Sequence, residues 1–110
     1  MGRFDVIFLN DARSFLESLE VKAARKVLLS IELAQKSIAP TSFKKLTHEI
    51  WEFRAESGGI QFRMLAFWHR KSPEKPRVVV THGFKKKTTK TPKSEISRAI
   101  RIRARYFHNL

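Results

Sequence analysis

"IWEFRAESGGIQFRMLAFWH", residues 50–69, is the stretch whose reading decides the fold. At its centre, Glu56-Ser57-Gly58-Gly59 is a turn signal. Ile50 to Arg54 reads as a short strand before it, and Ile60 to His69 as a longer, aromatic-rich strand after it. Side chains alternate across a strand, so Trp51 and Phe53 point one way and Ile50, Glu52 and Arg54 the other. By the same rule Phe62, Met64, Ala66 and Trp68 share one face, and Arg63, Leu65, Phe67 and His69 share the opposite one. The apolar sets are expected beneath helices. That leaves Glu52, Arg54 and Arg63 on an open sheet face, a division that Leu65 and Phe67 make imperfect.

Outward from this pair, Arg70 to Pro76 carries two prolines and reads as a loop, and Arg77 to Phe84 as a third strand. Three strands with short connections suggest an antiparallel meander. Toward the N-terminus, Phe4 to Phe8 alternates as a strand with Phe4, Val6 and Phe8 on one face. Asn10 or Asp11 offers an N-cap to a helix whose apolar side is Phe15, Leu16 and Leu19. A second helix is expected from Val21 to Lys36, with Ala24, Val27, Leu28, Ile31 and Ala34 as its buried stripe and Pro40 closing the region. At the other end Thr91 can cap a last helix and Pro92 suits its first turn. Ile96, Ala99, Ile100 and Phe107 share one face of that helix, and Arg98, Arg101 and Arg105 another. The expectation is one α+β domain over residues 1–110, ordered β-α-α-β-β-β-α, a mainly antiparallel sheet with helices packed on one face.

Charge narrows the function. The chain holds 23 Lys+Arg against 10 Asp+Glu, a net charge of +13. Residues 1–40 carry six basic and five acidic side chains, residues 41–84 eight and four, and residues 85–110 nine and one, or +1, +4 and +8. Such a gradient is a footprint for a polyanion, nucleic acid above all. With no cysteine, disulfides, thiol nucleophiles and cysteine-ligated zinc are excluded. No apolar run reaches transmembrane length and no signal peptide opens the chain, so a cytoplasmic location is expected, with no membrane partner. Neither a cofactor nor a metal site is expected.

Lys85, Lys86, Lys87 and Lys90 crowd the end of the third strand, where like charges destabilise unless an anion binds. Arginines from two strands and lysines from a third then line one basic site suited to phosphate. Such a site fits RNA cleavage by the 2′-OH, in which charge builds on the non-bridging oxygens and pre-placed cations stabilise it without a metal. Arg63 and Lys85–Lys87 are the candidate catalytic cations, and Arg54, Lys90, Lys93, Arg98, Arg101 and Arg105 the candidate RNA contacts. Glu52 is either a general base or an ion-pair partner that orients Arg54 or Arg63. His82 is a candidate acid or base, although a hydrogen-bonded histidine at a strand end is the commoner case. Trp51 and Trp68 read as core.

The opening stretch, followed by "VVVTHGFKKKTTKTPKSEISRAIRI" (residues 78–102), resembles the RelE/ParE toxin superfamily, and more closely its phage-derived HigB-like (Gp49-like) branch. The resemblance covers nearly the whole chain. It implies a microbial-RelE-like fold and a ribosome-dependent mRNA endonuclease, the toxin of a type II toxin–antitoxin pair. The implied partners are mRNA, the ribosome with its rRNA, and a small helix-turn-helix antitoxin. The family's phosphate-handling arginine falls on Arg63, the arginine of the preceding strand on Arg54, and the basic residues after the last strand on Lys85, Lys86 and Lys87. Two departures stand out. The lysines of RelE's first meander strand meet Ile50 and Glu52, and its tyrosine near the start of the final helix has no counterpart, Tyr106 being the only tyrosine. The base is therefore a lysine of depressed pKa or Glu52. A ParE-like inhibitor of DNA gyrase and a non-catalytic nucleic-acid-binding module are the alternatives.

Overall fold

A computed structural model describes residues 2–37, 41–70 and 73–110; Pro40 lies outside them, as do two positions of the loop expected between Arg70 and Pro76. The elements are β1 (Asp5–Phe8), α1 (Asn10–Ser18), α2 (Val21–Lys36), β2 (Phe43–Thr47), β3 (Ile50–Ser57), β4 (Ile60–His69), β5 (Arg77–Lys86) and α3 (Lys93–His108). They build one five-stranded sheet in the order β1-β5-β4-β3-β2. β1 runs parallel to β5, and the other neighbours are antiparallel. The α+β class and the meander stand as expected.

The β3–β4 hairpin closes through Gly58 and Gly59 at φ +59° and +80°. A two-residue turn of this hand matches strand twist and favours glycine at both centres. The sheet also has a strand that the sequence reading lacks. β2 pairs with β3 through a second tight turn in which His48 and Glu49 take φ 49° and 66°. Residues with a Cβ rarely adopt this conformation, yet no glycine marks this turn, and the strand therefore stays hidden in "FKKLT".

The helices do not share one face, and here the expectation is corrected. α1 and α2 cover Phe53, Phe62, Met64, Ala66, Val78 and Val80, a core that Phe4, Phe43, Trp51 and Trp68 extend. α3 lies on the other side, over Ile50, Leu65, Phe67 and Val79. Leu65 and Phe67 are completely buried, so their presence on the "open" face has a simple cause: that face has its own helix. Two smaller shifts accompany this. In α2 the buried stripe is Ala23, Val27, Ser30, Ile31 and Ala34, which leaves Leu28 exposed. At α3 the N-cap position is Pro92, not Thr91.

One irregularity in β5 positions the site. Ala66 pairs with Val80 but Leu65 pairs with His82, so Thr81 is an extra residue in the ladder. A bulge of this kind reverses the alternation beyond it. Val78 and Val80 face α1 and α2, yet His82, Phe84 and Lys86 turn to the α3 side. Gly83 takes the opposite side, where a Cβ would collide with the ring of Phe15 and the sulfur of Met64.

Candidate active site

Ladder register brings the charged residues together. Arg54 of β3 stands opposite Arg63 of β4, which stands opposite Phe84 of β5. In the flanking rows Glu52 faces Leu65 and then His82, while Glu56 faces Gln61 and then Lys86. Opposed residues share a face. Glu52, Arg54, Arg63 and Lys86 therefore occupy one patch beyond the N-terminal end of α3.

Arg63 anchors the patch from below. Only 3% of it is exposed. Its Nη1 donates to the Phe62 carbonyl at 2.9 Å and to Gln61 Oε1 at 3.2 Å, and Gln61 in turn donates to Glu56 Oε1 at 2.8 Å. Its Nε lies 3.6 Å from Glu52 Oε1, and the Arg54 Nε lies 3.7 Å from the same oxygen. Glu52 is itself 3% exposed. The carboxylate that shares the two guanidinium groups is thus the protein's own, and it offsets the buried charge of Arg63, whose Nε has no hydrogen-bond partner among the described residues. The hydroxyl of Thr91, in the loop entering α3, donates to the other oxygen, Glu52 Oε2. Thr91, expected as a helix cap, instead ties that loop to the site.

Burial pushes the Arg63 guanidinium below its ordinary range; Glu52 opposes this and Arg54 reinforces it. Lys86 is also lowered from the usual 10.5, first by burial and then by the charge of Arg63, with Glu52 opposing and Arg54 adding to the fall. Lys86 is thus the lysine close enough to feel both arginines. Lys85 pairs with Phe62 and points to the other sheet face, and Lys87 is exposed just beyond the strand. The expected triplet of site lysines resolves into three different placements.

His82, the candidate acid or base, is engaged at both ring nitrogens. It is 1% exposed, with Nδ1 at 2.9 Å from Thr81 Oγ1 and Nε2 at 2.9 Å from Glu95 Oε1. Burial lowers its pKa despite the carboxylate of Glu95. Through Glu95 the ring fastens the start of α3 to the sheet.

The other expected RNA contacts are dispersed. Lys90 and Lys93 are exposed at the entry to α3, next to Thr91. Arg98 is paired with Asp11 at 3.0 Å. Arg101 is exposed, and Arg105 lines a separate depression of about 690 Å³ between the start of α1 and the end of α3. Tyr106 bonds His69 Nδ1 at 2.8 Å, at the far end of β4 from Arg63 and Gln61. It does not replace the absent tyrosine. Lys44 stands in register with Glu52 and is exposed, adding a cation that the sequence reading missed because its strand was missed. Thr91 was visible in the sequence, but only register and topology show it reaching Glu52.

A family model described as phage-derived protein Gp49-like matches residues 14–104, which includes every residue of this patch. No curated protein matches the chain at a significant level.

Proposed function

The chain belongs to the phage-derived Gp49-like family, a RelE-like toxin family, and we propose that it is an endoribonuclease toxin that cuts mRNA on the ribosome. The observation that carries the reading is the convergence of Arg54, Arg63 and Lys86 on one face around a single fixed carboxylate. Three cations against the two carboxylates of Glu52 and Glu56, the latter engaged by Gln61, leave a net attraction for a phosphodiester. The two cations with access to solvent, Arg54 and Lys86, are the ones to meet it.

In this reading the 2′-oxygen attacks phosphorus, the P–O5′ bond breaks, and the products carry a 2′,3′-cyclic phosphate and a 5′-OH. Lys86 is the preferred base, because its lowered pKa raises the fraction of free amine able to take the 2′ proton. Arg54 pairs with the non-bridging oxygens as their charge grows. Arg63 is a positioning residue. It holds Glu52 and Gln61 in place and adds positive potential from beneath. Glu52 is occupied by Thr91 and the two arginines, which favours the orienting role over that of base. The departing 5′ oxygen takes its proton at the rim, where Lys87 and Lys90 are exposed. The reaction belongs in the cytoplasm, and a toxin of this kind requires a neutralising antitoxin.

Mapping mRNA ends after induction tests the proposal. Cleavage gives new 5′-OH ends within translated messages. Intact messages accompanied by DNA breaks place the target at gyrase instead, and growth without arrest leaves only nucleic-acid binding.

A further inference from the structure

β2 is an edge strand, and it brings one lysine to the arginine–lysine patch. Lys44 stands directly opposite Glu52, so its side chain lies on the same sheet face as Arg54, Arg63 and Lys86. The backbone N–H of Arg54 donates to the Ser42 carbonyl at 2.8 Å, which puts Lys44 two residues along β2 from the position facing Arg54. Diagonal neighbours of this kind are about 7–8 Å apart. Lys44 is exposed, and among the described residues no ion pair engages it, although Glu52 is its cross-strand neighbour. Glu52 is already taken by Arg54, Arg63 and Thr91. Lys45 shows the contrast. It stands opposite Trp51, on the other face, and is paired with Glu49 at 3.4 Å.

We propose that Lys44 binds the phosphate one nucleotide 3′ of the bond that is cut, so that the RNA strand crosses the sheet diagonally from β5 to β2. The direction follows from the cleavage reading above, on which this assignment rests. Lys86 takes the 2′ proton there, and the 2′-OH belongs to the nucleotide on the 5′ side of the scissile phosphate. Arg54 holds that phosphate. The strand on its 3′ side therefore leads away from Lys86, toward the cation that β2 supplies. The diagonal step from Arg54 to Lys44 suits successive phosphates, which a line of cations tracks without reading sequence. The carboxylates beside this path are engaged, Glu52 by the arginines and Thr91, and Glu49 by Lys45. Lys90, exposed just before Thr91, flanks the same step. Beyond β2 the sheet ends, and the strand leaves the protein there. A lysine on an edge strand also guards that edge against pairing with other chains, a role that needs no ligand and that the test separates.

The test titrates the isotope-labelled full chain with two dinucleotides in which hydrogen replaces the 2′-OH beside the diester, so that neither can be cut. One carries an added phosphate at its 3′ end, the other at its 5′ end. Both bear the same charge, so the net charge of +13 favours neither. The expected result is about fivefold tighter binding of the 3′-phosphorylated form, with amide shifts in Phe43–Thr47 that the 5′ form does not produce. Lys44→Met is expected to bind the two equally while keeping the parent's affinity for the 5′ form; its melting temperature verifies the fold. Equal affinities in the parent, a 3′ preference that survives Lys44→Met, a preference for the 5′ form or absence of binding each overturns the proposal. None of these readouts needs cleavage, so the mapped mRNA ends judge that reading separately.

Discussion

Glu52 shows how one buried carboxylate ties two strands and a loop together. Its carboxylate lies within 4 Å of two guanidinium groups, one of them buried with it. Breaking a buried pair from one side strands the remaining charge, which costs roughly 3–5 kcal/mol. The Nε–Oε1 separation of 3.6 Å is longer than a hydrogen bond, so the lower part of that range applies. Glu52→Gln is therefore expected to lower unfolding stability by about 3 kcal/mol. A shifted midpoint with unchanged slope in urea verifies this; an unmoved midpoint refutes the pairing. Lys86 is the contrasting case. Burial first, then the two arginines, oppose its charge against the support of Glu52, so Lys86→Met is expected to leave stability equal or slightly higher while cleavage falls about 100-fold.

Among the elements, β5 illustrates both what the chain discloses and what it conceals. Its apolar run and the lysines after it are plain in the sequence, and so are the faces of β3 and β4, where alternation places Arg54 and Arg63 together. The extra residue at Thr81 is not plain. Nothing in "VVVTHGF" marks the position where two residues oppose one, yet that bulge decides that Lys86, not Lys85, joins the arginines. The hidden β2 has a related cause, a left-handed turn built without glycine. Leu65 and Phe67, which break the polar face in the sequence, are together the floor of a second core, and that is why α3 lies on the face opposite α1 and α2.

Packing on both sides of β5 makes two further predictions. Gly83→Ala places a methyl against Phe15 and Met64, and overpacking of this kind costs about 1–3 kcal/mol. A melting temperature equal to the parent's contradicts that packing. On the α3 side, His82 is held below its ordinary 6.5 by burial. Below pH 6.5 the unfolded chain gains a proton that the folded one refuses. The contribution of His82 is therefore whole above that pH and is lost as pH falls toward the folded-state value. Melting temperature is expected to drop between pH 7 and 5, with a shallower slope in His82→Gln. Parallel slopes exclude His82 as the source.

Across the whole molecule, the two sheet faces carry different tasks. One holds the larger core beneath α1 and α2, with the apolar and basic outer surface of α2 beyond it. The other is shared between α3 and the arginine–lysine patch, fastened at the loop by Thr91–Glu52 and at the helix by Glu95–His82. The net charge of +13 favours association with polyanions, and any such binding is expected to weaken steeply in salt. Charge alone accounts for polyanion binding; the proposed cleavage rests on the patch.

Single-turnover cleavage of mRNA on stalled ribosome complexes, by the parent, Arg54→Ala, Lys86→Ala and the double variant, tests that distinction most directly. If both side chains act on one phosphate, each single change slows cleavage by about two orders of magnitude, and the double change costs markedly less than the sum of the two barriers. Parent-like rates in both single variants, with their folds intact, contradict the account.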